Sequence, residues 1–467
     1  MTSLFPEQTY DVVVAGAGNA ALCAAITAAS DGARVLVLEA APREYRGGNS
    51  RHTRNFRLAH DAATQTLTGP YPVDEYWDDL MRVTGGETDT DLARFTLEES
   101  ARLPDWLAEQ GVRFQAALGG TLSLGRTNAF YLGGGKALLN TLYRAAERLG
   151  VTIAYDAAVT ALEIEDGHFL AATVTQGDAP QRVEARAFIA ASGGFEANID
   201  WLREYWGEAA DNFIVRGTPY NKGAVLKLLL DADVQPVGDP KQCHAVAIDG
   251  RAPKFDGGIV TRLDCVPFGI VVNREAKRFY DEGEDFWPKR YAIWGRLVAA
   301  EPGQTGYAII DEKSIRSFMP SVFPPEKAAS IAELACKLDL DPARLEATVS
   351  VFNAACRPGS FDPTIYDDCR TEGLDPPKSH WARPIDTPPF YGYMLRPGIT
   401  FTYLGLRVDR QARMIMADGR PAANMFAAGE IMAGNILGKG YLAGIGMTIG
   451  SVFGRLAGKE AARNARN

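Results

Sequence analysis

Short β-branched runs alternate along the chain with small-residue stretches, and the first alternation is the most informative. Tyr10–Ala15 (YDVVVA) is apolar on both faces, the pattern of a parallel strand covered on two sides. It ends in Gly16-Ala17-Gly18-Asn19-Ala20-Ala21, and residues 22–29 then form an unbroken helix-favouring stretch. A second apolar run at 34–38 (RVLVL) stops at Glu39. This predicts a strand, a tight turn, a helix and a parallel strand. Three more Gly-rich segments follow apolar runs or precede helical stretches: Gly47-Gly48-Asn49-Ser50, Ser192-Gly193-Gly194-Phe195 and Ala427-Ala428-Gly429-Glu430. The Pro-rich 375–390 (DPPKSHWARPIDTPPF) reads as an extended connector, because X-Pro pairs resist helix.

Composition narrows the class. The 467 residues, 46% apolar and 23% charged, suffice for a large globular core, and no stretch approaches ~20 apolar residues. The N-terminal MTSLFPEQTYD lacks the basic and apolar regions of a secretory signal. A net charge of −9 argues against a nucleic-acid partner, which Lys and Arg would have to neutralise. Cys23, Cys243, Cys265, Cys336, Cys356 and Cys369 form no CxxC pair and read as buried free thiols rather than metal ligands.

The first alternation carries chemistry. Gly-x-Gly-x-x-Ala followed about twenty residues later by an acid is a dinucleotide-binding fingerprint. Gly16 permits the turn, Gly18 admits a pyrophosphate, and Ala21 allows helix–strand packing. The helix N-terminus, at Asn19 and Ala20, offers unpaired N–H groups to the phosphates, and Glu39 is placed to accept from a ribose hydroxyl. No second fingerprint marks a nicotinamide site, and several glycine segments suit a long cofactor, so FAD is expected. The nearby Gly434-x-x-x-Gly438-Lys439 is one residue short of a phosphate loop and lacks its Ser/Thr.

These segments, with VVNREAKRF (271–279) and FAAGE (426–430), resemble the flavoprotein subunits of fumarate reductases and succinate dehydrogenases, in the same order over nearly the whole chain. GGNSRHTRNFR, RTNAFYLGGGKALLN, DEGEDFWPKRYAIWG and NILGKGYLAGIGMTIG are most similar to the FAD-dependent tricarballylate dehydrogenases. The resemblance implies an α/β fold with a discontinuous Rossmann-like FAD-binding domain over 1–239 and 397–467. An α+β capping domain would be inserted at 240–396, and 444–462 would be a helix running back onto the cofactor.

It also implies roles. His244 stands where the family has a substrate-binding histidine, and Arg290 lies in the region of its proton-donating arginine. Tyr441 matches a tyrosine of the ketosteroid-dehydrogenase branch that polarises substrate. Where soluble fumarate reductases relay the proton through Glu and Arg, this chain has Arg262 and Cys265, and Thr400 or Phe401 replaces a second histidine. Arg54, Arg126 and Arg262 are further carboxylate-ligand candidates, since guanidinium matches carboxylate bidentately. His52 is shifted about two residues from the histidine that tethers FAD in membrane-bound relatives, so non-covalent FAD is expected, with His52 facing substrate. The expected reaction is oxidation of tricarballylate to cis-aconitate, with electrons passed to a membrane-bound iron–sulfur or haem partner. The expected location is cytoplasmic, with any inner-membrane association made peripherally through that partner. A fumarate reductase-like enzyme, a corrin-modifying flavoenzyme and a flavin redox sensor are the alternatives.

Overall fold

The computed structural model describes residues 9–117, 124–177 and 179–466. The N-terminal segment on which the signal-peptide expectation rests falls mostly outside them. Tyr10–Ala15 and Val35–Leu38 pair in parallel, joined by the helix Asn19–Ser30, which begins at the glycine turn, three residues earlier than its apolar pattern suggests. The sheet continues through Thr152–Ala154 on one side and through Ala179–Ala190, Pro421–Ala427 and Arg413–Ile415 on the other. Two antiparallel strands, Ala157–Glu165 and His168–Gln176, branch from Ala179–Ala190. Mixed α/β layers are therefore the observed class.

The expected C-terminal helix runs over Ile445–Arg466 and packs directly on Asn19–Ser30. Gly454 and Gly458 make that approach possible: a Cβ on either would collide with the carbonyl oxygens of Ala20 and Ala24. Asn19 Nδ2 donates to Ser451 Oγ at 2.9 Å across the same seam.

A second, six-stranded sheet contains Cys243–Asp249, Ile270–Asn273, Gly306–Asp311, Glu326–Ala328 and Phe390–Thr402, with Ile214–Val215 added in parallel at an edge. The boundary expected at 396/397 falls inside Phe390–Thr402, where Arg396 and Pro397 pair with Ile248 and Ala247. Pro397 is tolerated because the strand changes neighbours there. It pairs with Gly306–Asp311 through Leu395 and with Ile214–Val215 from Gly398. The chain crosses between sheets at 236–242 and 403–406, and these crossings pair with each other, Pro236 with Leu406 and Val237 with Gly405.

The 375–390 segment is non-helical as expected, but it is pinned down: the buried Lys378 Nζ donates to the carbonyl of Pro267 at 2.8 Å and to that of Gly269. The thiols are free, yet Cys336 is exposed and Cys356 half-buried, against the expectation that all are buried.

Candidate active site

A cavity open to solvent, with about 1150 Å³ of empty space counting its mouth, lies between the two sheets and receives residues from both. One end is the fingerprint. Gly16 has φ +100°, and a Cβ there would strike the Ala191 carbonyl. Gly18 caps the Asn19–Ser30 helix in extended conformation without a side-chain cap, so the helix N-terminus opens on the cavity. Asn19 N donates to Ser50 Oγ at 3.1 Å. Glu39 lines the cavity and accepts from the N–H groups of Ala41 and Gly47, each at 3.1 Å; burial raises its carboxyl pKa.

Along the floor, Gly48, Ser192, Gly193 and Gly429 bring backbone to the surface. Gly193 and Gly429 have positive φ, and a Cβ on either would come within 2.7 Å of Asn221 or Ala20. Gly194 lies behind, making room for Glu430, whose Oε1 accepts from Thr402 N at 2.8 Å. Asn49 ties the 47–50 loop down: its Oδ1 accepts from Thr218 N at 2.9 Å, and its Nδ2 donates to Thr400 O and to Glu196. Glu196 also accepts from Asn221 at 2.8 Å and abuts Glu430. Burial raises both carboxyl pKa values, and mutual repulsion raises Glu430 further. Gly444, Gly446 and Met447 bring the N-terminus of the Ile445–Arg466 helix to the cavity wall.

The other end is cationic. Arg54, Arg216, Arg262, His52 and His244 line it with Tyr291, Thr400, Phe401 and Tyr441. Arg262 Nη2 donates to Asp264 at 2.8 Å, and its guanidinium lies over the Tyr291 ring. Arg54 Nε, Arg216 Nε and Nη1, and both nitrogens of His244 are buried without a hydrogen-bond partner among the described residues. Burial, reinforced by the neighbouring Arg262, lowers the pKa of Arg54 and Arg216 to about 10, so both stay charged at neutral pH. Burial and the adjacent Arg216 and Arg262 push His244 well below the imidazole range, leaving it neutral. The His244 ring stacks on Tyr441 at 3.9 Å between centroids, and the Tyr441 hydroxyl accepts from Gly446 N at 3.1 Å.

Two expected ligands are not brought here. Arg290 leaves the short Trp287–Arg290 helix on its outer side, where Glu284 and the Tyr280 hydroxyl, at 2.8 Å, hold its guanidinium. Its neighbour Tyr291 faces the cavity instead. Arg126 pairs with Glu75 at 2.9 Å and with the Pro70 carbonyl at 2.8 Å, away from the cavity. Conversely, sequence reasoning missed Arg216, Tyr291, Glu196 and Asn221. The only signal for Arg216 was a lone charge between an apolar run and a glycine.

A glycine-lined floor, a helix N-terminus for a pyrophosphate and a carboxylate for a ribose fit the two halves of FAD. The class this defines is a flavin dinucleotide-binding protein. Residues 11–447 match a family model described as an FAD binding domain, and the chain belongs to that family, the flavoproteins of the fumarate reductase and succinate dehydrogenase group, with FAD as its cofactor. It is 26% identical over 473 residues to an NADH:fumarate oxidoreductase of Klebsiella pneumoniae, covering 98% of this chain but 48% of that protein. The chain thus spans about half the length of that relative. It is 29% identical over 365 residues to the 4-oxocyclohex-2-ene-1-carboxylate 5-dehydrogenase of Sinomonas cyclohexanicum, covering 71% and 60% of the two chains. The open conformation of a flavocytochrome c3 fumarate reductase superposes with TM-score 0.76 at 22% identity, covering 99% of this chain and 79% of that one.

Proposed function

We propose that the protein is an FAD-dependent dehydrogenase that oxidises tricarballylate to cis-aconitate. The observation carrying this reading is the cationic end of the cavity, where buried guanidinium and imidazole nitrogens lack partners among the described residues. Unpaired buried charge is costly, so such a cluster is explained by an anionic ligand that completes it. Arg54 and Arg216 offer guanidiniums without a carboxylate partner among the described residues, and Arg262, held by Asp264, stands beside them. A flavin-based sensor would need no carboxylate clamp.

Bound FAD supplies the hydride acceptor. The chain's own residues do the rest. Arg54, Arg216 and Arg262 would hold the carboxylates, and neutral His244, fixed by its stack on Tyr441, would orient one of them. FAD would be held without a covalent bond, with the Nε2 of His52 engaged by Asp256. Among the described residues no helix is long and apolar enough to cross a membrane. Reoxidation would fall to a separate iron–sulfur or haem partner at the membrane.

Anaerobic addition of tricarballylate should bleach the flavin, while succinate, one carboxylate short, should do so tens to thousands of fold more slowly, from about 2–5 kcal/mol for a charge left unpaired. Equal rates would refute the tricarboxylate assignment.

A further inference from the structure

We propose that His52 is the base that takes the proton from substrate and that Asp256 is its positioning residue. The proposal rests on the dehydrogenase reading above. Removing two hydrogens to make a C=C requires a hydride acceptor, the flavin, and a separate acceptor for the proton on the adjacent carbon. A proton acceptor in this cavity needs a free lone pair, a partner that fixes its tautomer and stabilises its charged form, and a route to water.

His52 meets all three conditions. It lines the cavity, at the same end as the guanidiniums. Its Nε2 is bonded to Asp256 Oδ1. A carboxylate there accepts, so Nε2 carries the hydrogen and Nδ1 is left as the basic nitrogen, the logic by which an aspartate orients a catalytic imidazole. The described residues give Nδ1 no hydrogen bond. It lies beside Gly258, where a Cβ would come within 3.0 Å. The Asp256 side chain is 29% exposed, so the proton has a path out. The other candidates each fail one condition. His244 has no carboxylate partner and is buried. Burial raises the pKa of both the Tyr291 and Tyr441 hydroxyls, which disfavours either as a base. Arg290 is outside the cavity.

The step balances. One C–H bond breaks with its proton going to Nδ1, and its electron pair becomes the second bond of the alkene. The neighbouring C–H bond breaks as hydride to the flavin. The imidazolium, held by Asp256, then releases a proton to water. The charged groups facing His52 are Asp256, Arg51 and Arg216. Burial lowers its pKa more than Asp256 raises it, so His52 is neutral, and able to accept, at neutral pH. The rate of flavin reduction should rise with pH through that lowered pKa and stay flat above it.

Two measurements on the FAD-loaded protein test the proposal. Nitrogen NMR can resolve the chain's five histidines. His52 should appear as the Nε2–H tautomer without any substrate, and its pKa should fall in Asp256→Asn. In anaerobic stopped flow with tricarballylate, His52→Gln should reduce the flavin about 100- to 10,000-fold more slowly. It should also lose the acidic limb of the pH profile, with acid affinity changed less than about threefold. Imidazole should partly restore His52→Ala. An Nδ1–H tautomer at His52, or a His52→Gln rate within about threefold of wild type, would overturn the proposal. If no acid bleaches the wild-type flavin, the substrate reading fails, while the tautomer still decides whether His52 is set as a base.

Discussion

Replacing Arg216 by Met should make the protein more stable and worse at binding its acid. Arg216 is 4% exposed, two of its guanidinium nitrogens lack partners among the described residues, and its pKa is held at about 10, well below the ordinary guanidinium value. That gap corresponds to about 3 kcal/mol of folded-state cost. A base whose pKa is lowered by folding carries this cost in full below about pH 10, so it is fully present at pH 7. Met keeps the length of the side chain without its charge, and with a chain of 467 residues the gain amounts to a rise in Tm of ~3 °C. Tricarballylate at a hundred times its Kd should add about 2.7 kcal/mol to the wild type. The variant should bind it tens to thousands of fold more weakly, as expected from about 2–5 kcal/mol of lost pairing. Thermal unfolding with and without the acid, followed by calorimetric titration, reads both effects: the variant melts higher alone, and the difference closes when acid is present. A variant that melts lower alone, or binds the acid as tightly as wild type, would refute the reasoning.

Glu39→Ala should weaken FAD retention by about 1.5–3 kcal/mol, measured by fluorescence of released flavin, because a charged acceptor for the ribose is lost. Unchanged retention would mean that Glu39 serves only the Ala41 and Gly47 amides. Gly454→Leu should destabilise the protein by about 1–3 kcal/mol or more, since the side chain would meet a backbone carbonyl that cannot move aside, and a denaturant midpoint near wild type would contradict that packing. Arg290→Ala should leave flavin reduction within about threefold and cost at most ~1 kcal/mol of stability, as expected for a partly exposed ion pair. A hundredfold fall in rate would show that Arg290 reaches substrate after all.

The cofactor end was legible because its information is local. Glycine spacing, one helix start and one acid lie within consecutive residues, and each has a backbone reason to be what it is. The cationic end was only partly legible because it is assembled from segments around 52–54, 216, 244, 262, 291 and 441, and no periodicity links them. Family likeness pointed to Arg54, Arg262, His52, His244 and Tyr441, which line the cavity, and not to Arg216. Arg290 shows the resolution limit of such transfer. Consecutive helical residues point ~100° apart, so a segment can be right while its neighbour, Tyr291, is the one that faces inward. The boundary expected at Pro397 lies within a strand for another reason: Pro-Gly reads as punctuation, but a strand changing neighbours needs no N–H at that point.

The paired crossings at 236–237 and 405–406 have an evolutionary consequence. An insertion whose two ends are already hydrogen-bonded to each other looks, to the sheet that hosts it, like the tip of a hairpin. The entropic cost of closing it grows only slowly with the length spliced in, by about 0.6 kcal/mol per doubling. Sequence between the crossings could therefore be enlarged, shrunk or redecorated, and the lining that the second sheet gives the cavity changed with it, without disturbing the register of the strands that carry the FAD fingerprint. The exception is Ile214–Val215, which the host lends to the inserted sheet's edge. Arg216 follows that strand directly, so any replacement of the second sheet would have to match Ile214–Val215 to keep Arg216 at the cavity.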